Sequence, residues 1–137
     1  MTHYVLDASV TCAWLFEEER TPPLNTLLAL TAFTEAFVPA LWRAEVLNTL
    51  LQASRRSRIQ AGAIAERWAF LDELMIRQPD YDPPTDQLIT LCQAHGLTVY
   101  DAYYLALAMH LQLPLATLDA SLARAAREEG VALVGVS

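Results

Sequence analysis

The sequence predicts an α/β fold, with helices covering both faces of a parallel sheet, and three observations carry the prediction. Short apolar runs alternate with segments of helical period along the chain. Of the 137 residues 54% are hydrophobic and only four are glycine, which supplies one sizeable core in a length too short for two. No repeat, low-complexity tract or interdomain linker interrupts the pattern, so residues 1–137 read as a single domain.

In chain order, HYVLD (3–7) is a strand, followed by helices over 8–18 and 22–34. AFVP (36–39) is a strand closed by proline, and helical period returns over 40–56, 60–75, 84–95 and 99–112. PLATLD (114–119) is a strand opened by proline, 120–129 is a helix, and VALVGV (131–136) is a last strand behind a glycine. The proline-containing stretches Thr21–Pro23 and Pro79–Pro84 are of loop length. Strands alternating with helices give a parallel sheet buried on both faces, and ligands bind such sheets beyond the carboxyl ends of strands, where strand order reverses.

Charge and composition exclude several classes. The net charge of −7 argues against non-specific nucleic-acid binding. All nine basic residues are arginine, and without lysine there is no Walker A loop, no Schiff base and no lysine partner for a receiver-type aspartate. The most apolar region, Leu24–Trp42, is broken by Asn25, Glu35 and Pro39, so no membrane span is expected. MTHYVLD lacks the basic start and long apolar run of a signal peptide, which predicts a cytoplasmic protein. Cys12 and Cys92 lie in apolar-periodic segments with no companion ligand and read as buried, reduced thiols.

Three aspartates stand at helix starts: Asp7 in VLDAS, Asp101 in TVYDA and Asp119 in ATLDAS. Each has a plain structural explanation, since aspartate is a favoured N-cap and Thr98-x-x-Asp101 matches a capping box. Asp7 and Asp119, however, end strands that a parallel sheet aims at one edge. Asp101 shares its helical arc with Tyr104, Leu105 and Ala108, so its carboxylate turns toward packed residues and needs a partner or a cation. Glu45 carries a polar arc of Asn48, Thr49, Gln52, Arg55 and Arg56 opposite Val46, Leu47, Leu50 and Leu51. That arc is either a solvated helix face or the wall of a cleft that begins at Glu45.

Carboxylates brought within a few ångströms cannot all stay ionised without a counter-charge, and no lysine supplies one. A hard divalent cation is the natural candidate, and all-oxygen ligation without histidine suits Mg²⁺ or Mn²⁺ better than Zn²⁺.

The ordered set VLDAS, VPALWRAEVLNTL, LTVYDAYYLALA, PLATLD and AAREEGV resembles the PIN-domain ribonucleases, specifically VapC-type toxins of bacterial toxin–antitoxin systems. The resemblance implies a PIN-like three-layer α/β/α fold around a central parallel five-stranded sheet, with LMIRQP near 74–79 as the candidate fifth strand. It implies that Asp7, Glu45, Asp101 and Asp119 form the acidic quartet that binds Mg²⁺ or Mn²⁺, with Ser9 and Thr117 supporting it by hydrogen bonding. Ser9 as a helix-start cap and Thr117 as a simple strand hydroxyl stand as equal alternatives. Many relatives carry a further acid or asparagine after the fourth acid, where Ala120, Ser121 and Leu122 follow here, which weakens a second metal position. The implied reaction is hydrolysis of an RNA phosphodiester to a 5′-phosphate and a 3′-hydroxyl, with a cognate antitoxin protein as inhibitor and a homodimer as the assembly. The helices at 22–34 and 60–75 are apolar enough to offer the antitoxin a surface.

Arg43, Arg55 and Arg56, with Arg58 beside them, are either RNA contacts or compensation for the helix dipole. Trp14, Trp42, Trp68, Tyr103 and Tyr104 read as core or interface, and His3, His95 and His110 as structural. Two rival functions differ in class. A HAD-type phosphatase requires Asp-x-Asp where Asp7-Ala8-Ser9 stands, and a catalytically inactive PIN-like binding module would not need all four acids.

Overall fold

The computed structural model describes residues 3–136. Strand β1 (Tyr4–Leu6) leads into helix α1 (Ala8–Leu15), a short 3₁₀ turn (Glu17–Glu19) and α2 (Pro22–Leu30). Then come β2 (Ala36–Phe37), α3 (Leu41–Arg55), α4 (Ala63–Asp72), β3 (Ile76–Arg77), α5 (Thr85–His95), α6 (Val99–Leu111), β4 (Leu115–Ala116) and α7 (Ala120–Glu128). Every segment read as helical from its period is a helix. The first stops at Leu15 rather than 18, because three successive glutamates would sit against the negative end of its dipole; two of them turn instead to Arg58. Pro22 opens α2 at its first turn, where the missing N–H costs nothing, and Gly96 closes α5 in the left-handed conformation at φ 66°.

The sheet is parallel throughout, in the order β3-β2-β1-β4. From β1 the chain steps one way to β2 and β3, then returns across the sheet to β4 on the other side. Right-handed crossovers therefore put α1 and α2 on one face and α5 and α6 on the other. The reversal of direction lies between β1 and β4, so the crevice predicted for ligands opens beyond Leu6 and Ala116, which are paired in register.

The five-stranded sheet is corrected to four strands. LMIRQP does supply one of them, β3. The segment 131–136, expected as a full strand, pairs with β4 only through the single bridge Leu115–Leu133. Its two hydrogen bonds, Leu115 N–H to the Ala132 carbonyl at 2.9 Å and Val134 N–H to the Leu115 carbonyl at 2.9 Å, both use Leu115, because β4 is only two residues long. One bridge does not make a ladder.

The core joins both layers at β1, where Val5 and Leu6 are wholly buried with Val10, Trp14, Leu105, Leu115 and Leu122. Trp14 satisfies its indole N–H on the Leu24 carbonyl at 3.0 Å, and Tyr4 shares a 2.6 Å hydrogen bond with Thr31. Trp42 is buried and packs at 5.5 Å against the half-buried Trp68. Cys12 and Cys92 are free but half-buried rather than enclosed, and burial pushes the Cys12 thiol up to about 11. No described helix is long and apolar enough to cross a membrane.

The three histidines all take structural places. His3 Nδ1 accepts the Glu35 N–H, and His110 stacks on Tyr81 at 3.8 Å. His95 is clamped between Glu129 (Nε2, 2.6 Å) and Glu128 (Nδ1, 2.9 Å), which ties the end of α5 to the end of α7. The hydrogen bond to Glu129, against the cost of burial, holds its imidazole above the ordinary histidine value. A raised histidine pKa contributes stability that is complete below about pH 6.5 and is lost as pH rises through the folded value. His95→Gln is therefore expected to lower the melting temperature at pH 6 and to have much less effect at pH 9. Melting curves across that range check it, with about 1 kcal/mol expected at the acidic end.

Candidate active site

The site is built at the β1–β4 crevice by the ends of the two strands. The Asp7 N–H donates to the Ala116 carbonyl at 3.0 Å, extending the register one step past each strand and setting Asp7 beside Thr117. Asp7 is only 5% exposed, and it does not cap α1: its side chain makes no capping hydrogen bond. Its Oδ2 instead accepts from the Ser9 hydroxyl at 2.6 Å and from the Thr117 hydroxyl at 2.7 Å. Those hydroxyls are themselves held, since the Leu118 N–H donates to Ser9 at 2.9 Å and the Asp119 N–H to Thr117 at 3.0 Å. Thr11 and Trp42 brace the turn below, the Thr11 hydroxyl on the Asp7 carbonyl and the Trp42 indole N–H on Thr11 at 2.9 Å.

Asp119 is half-buried and does cap α7, its Oδ1 accepting the Leu122 N–H at 2.9 Å. Asp101 occupies the first turn of α6, where its own N–H is capped by Thr98 at 3.2 Å, and it is half-buried while Tyr104, Leu105 and Ala108 on its arc are buried. Glu45, one turn into α3, accepts a 2.5 Å hydrogen bond from the Tyr104 hydroxyl. Sequence reasoning placed Tyr104 in the core and missed this contact. The available signal was its position three residues after Asp101, on the same arc.

The four acids are brought within electrostatic reach of one another. Burial raises the Asp101 carboxyl to about 6, followed by the charges of Asp119, Asp7 and Glu45. Burial also raises Asp7, opposed by its hydrogen bonds from Ser9, Thr117 and the Ala8 backbone and assisted by the charge of Asp119. Glu45 is raised by burial, lowered by the Tyr104 hydrogen bond and raised again by Asp7. The Tyr104 phenol is pushed far above its ordinary value by burial and by Glu45, so it stays a donor.

Among the described residues no arginine forms an ion pair with these acids. Among the described residues Arg58 pairs with Glu18 and Glu19 and covers Phe16, Arg77 pairs with Glu35, and Arg20 and Arg67 bond the Trp14 and Leu15 carbonyls. The donor set at the crevice is all oxygen, negatively charged and, among the described residues, without a counter-ion, which is the chemistry that suits a hard divalent cation. Among the described residues, however, no three His, Cys, Asp or Glu side chains stand close enough together to hold a metal ion by themselves.

The polar arc of α3 is only partly as expected: Val46 and Leu50 are buried, but Leu51 is exposed with the polar residues. Ala44, Glu45 and Asn48 face Tyr100 across a groove of about 530 Å³. Arg43, Arg55 and Arg56 are exposed and form no ion pair among the described residues, whereas Arg58, grouped with them in the sequence, is committed to structure.

Comparison with known proteins agrees with this architecture. The PIN domain family model matches residues 4–128. Ribonuclease VapC3 of Pyrobaculum aerophilum is 32% identical over 123 residues, covering 87% of this chain and 91% of that protein. Among solved structures, PAE2754 of Pyrobaculum aerophilum superposes with a TM-score of 0.70 at 23% identity, covering 90% of this chain and 84% of that one. VapBC2 of Rickettsia felis, bound to a DNA fragment from its promoter, superposes with a TM-score of 0.67 at 14% identity over 96% of each chain. A HAD-type reading is set aside with these matches; Ser9, where that chemistry requires an aspartate, serves instead as a donor to Asp7. The chain belongs to the PIN-domain family, with a VapC ribonuclease among its relatives.

Proposed function

We propose that the protein is a divalent-metal-dependent endoribonuclease, the toxin of a toxin–antitoxin pair, which hydrolyses RNA at the β1–β4 crevice. The observation that carries the reading is Asp7, a buried carboxylate held by two hydroxyls, opposed by three more acids and, among the described residues, matched to no cation. Mg²⁺ or Mn²⁺ bound there would activate water and stabilise charge on a phosphate. Asp7, Asp101 and Asp119 are its proposed ligands, directly or through water, since Mg²⁺ usually keeps several waters and takes only one or two carboxylates. Ser9 and Thr117 fix the Asp7 carboxylate, and the Tyr104 hydroxyl fixes Glu45, which completes the site or orients the attacking water. Hydrolysis leaves a 5′-phosphate and a 3′-hydroxyl.

Family membership and the VapC relative support the nuclease reading. The VapBC neighbour supports a cognate antitoxin as partner, and a homodimeric assembly acting in the cytoplasm is part of the same proposal. The test is cleavage of a panel of structured and unstructured RNAs with Mg²⁺ or Mn²⁺, with and without EDTA. Cleavage that requires the divalent ion is expected; tight partner binding with no cleavage of any RNA would favour the inactive module.

A further inference from the structure

Tyr100 lies immediately before Asp101 in the first turn of α6, but the two residues differ in exposure. Asp101 is half-buried, while Tyr100 is 62% exposed, and among the described residues the Tyr100 side chain has no hydrogen bond and no ring contact. It forms one wall of the groove whose other wall is Ala44, Glu45 and Asn48. An aromatic face and an acidic residue of the proposed metal site therefore share one cleft. Along α3, Asn48 is followed on the same side by Gln52 and Arg55, with Arg56 beside it, all exposed. At 1.5 Å per residue, Arg55 lies about 10 Å beyond Asn48.

Resting on the ribonuclease reading, we infer that Tyr100 is the stacking platform for a nucleobase next to the phosphate held at the acidic crevice, and that the RNA strand continues along α3 to Arg55 and Arg56. In a protein of net charge −7, a phosphate chain is repelled over most of the surface and is attracted along this arginine-bearing face. A base lies flat on a tyrosine only when it has left its own stack, so the strand in the groove is single-stranded. Stacking is tolerant of base identity, and the exposed Asn48 amide on the facing wall supplies the donor and acceptor that distinguish one base edge from another.

The experiment measures binding of a short, unstructured, fluorescein-labelled oligoribonucleotide in Mg²⁺, with Asp101→Asn as the background to prevent cleavage. Tyr100→Ala is expected to raise Kd about tenfold and Tyr100→Phe to leave it within about twofold, because the ring rather than the hydroxyl makes the contact. The salt dependence of binding is expected to stay unchanged in Tyr100→Ala and to lose about 0.7 in log–log slope for each of Arg55→Ala and Arg56→Ala. Unchanged affinity in Tyr100→Ala, or equal losses in the alanine and phenylalanine variants, would overturn the inference. So would a change in sedimentation coefficient for Tyr100→Ala, since the ring would then belong to a protein interface. Binding that depends on Tyr100 in a protein whose wild type cuts no RNA would support the stacking platform and sink the nuclease reading alone.

Discussion

Asp7→Ala and Asp7→Asn are each expected to lower RNA cleavage about a thousandfold, since several kcal/mol of charge stabilisation would be lost at 1.36 kcal/mol per tenfold. The two substitutions separate chemistry from architecture. Alanine leaves the Ser9 and Thr117 hydroxyls without the acceptor they share, whereas asparagine keeps an oxygen for them and removes only the charge. Both should retain the fold, because the Asp7 backbone stays tied to Ala116 and Thr11. Circular dichroism and a cleavage time course decide the point: full activity in a folded Asp7→Asn variant would remove Asp7 from the site.

Asp101→Asn is expected to abolish cleavage and, in EDTA, to stabilise the protein. The folded carboxyl is raised to about 6, mainly by burial and then by Asp119, Asp7 and Glu45. A raised carboxyl gives stability that is complete below about pH 4 and is lost as pH rises through about 6, so at neutral pH the wild type carries the cost of an ionised group among like charges. Asparagine removes that cost. Because Asp101 is half-exposed, solvent screening reduces the gain to about 1 kcal/mol, or roughly 3 °C in melting temperature for a domain of this size. The helix dipole, which favours a negative charge in the first turn of α6, subtracts only a few tenths of that. Melting curves from pH 4 to pH 7 should show the two proteins alike at the acid end and the variant above the wild type at the neutral end. A variant melting below the wild type at pH 7 would mean that Asp101 is a stabilising cap and nothing more.

The three helix-start aspartates mark how far sequence alone reaches. Aspartate at a strand end followed by helical period predicts a cap at Asp7 and at Asp119, yet Asp119 caps and Asp7 does not, while the Thr98 cap read from Thr98-x-x-Asp101 is in place. What diverts Asp7 is Thr117, 110 residues away in the chain and one register step beyond the β1–β4 pairing. Local pattern contains no information about that pairing. Asp101 was legible because helical geometry fixes its arc, whatever packs against it. The seven helices were legible for the same reason, while the segment 131–136 was not, because a ladder depends on the length of its partner, and β4 has two residues. Arg58 looked like its neighbours Arg55 and Arg56 until Glu18, Glu19 and Phe16 were brought to it from α1's end.

If the fold assembles these carboxylates in order to bind a divalent cation, calorimetric titration of Mn²⁺ into the metal-free protein should register it. Saturable binding is expected that releases protons near pH 6, where Asp101 is part-protonated, and that is lost in Asp7→Asn. Failure of the wild type to bind Mn²⁺, or equal affinity in Asp7→Asn, would contradict it.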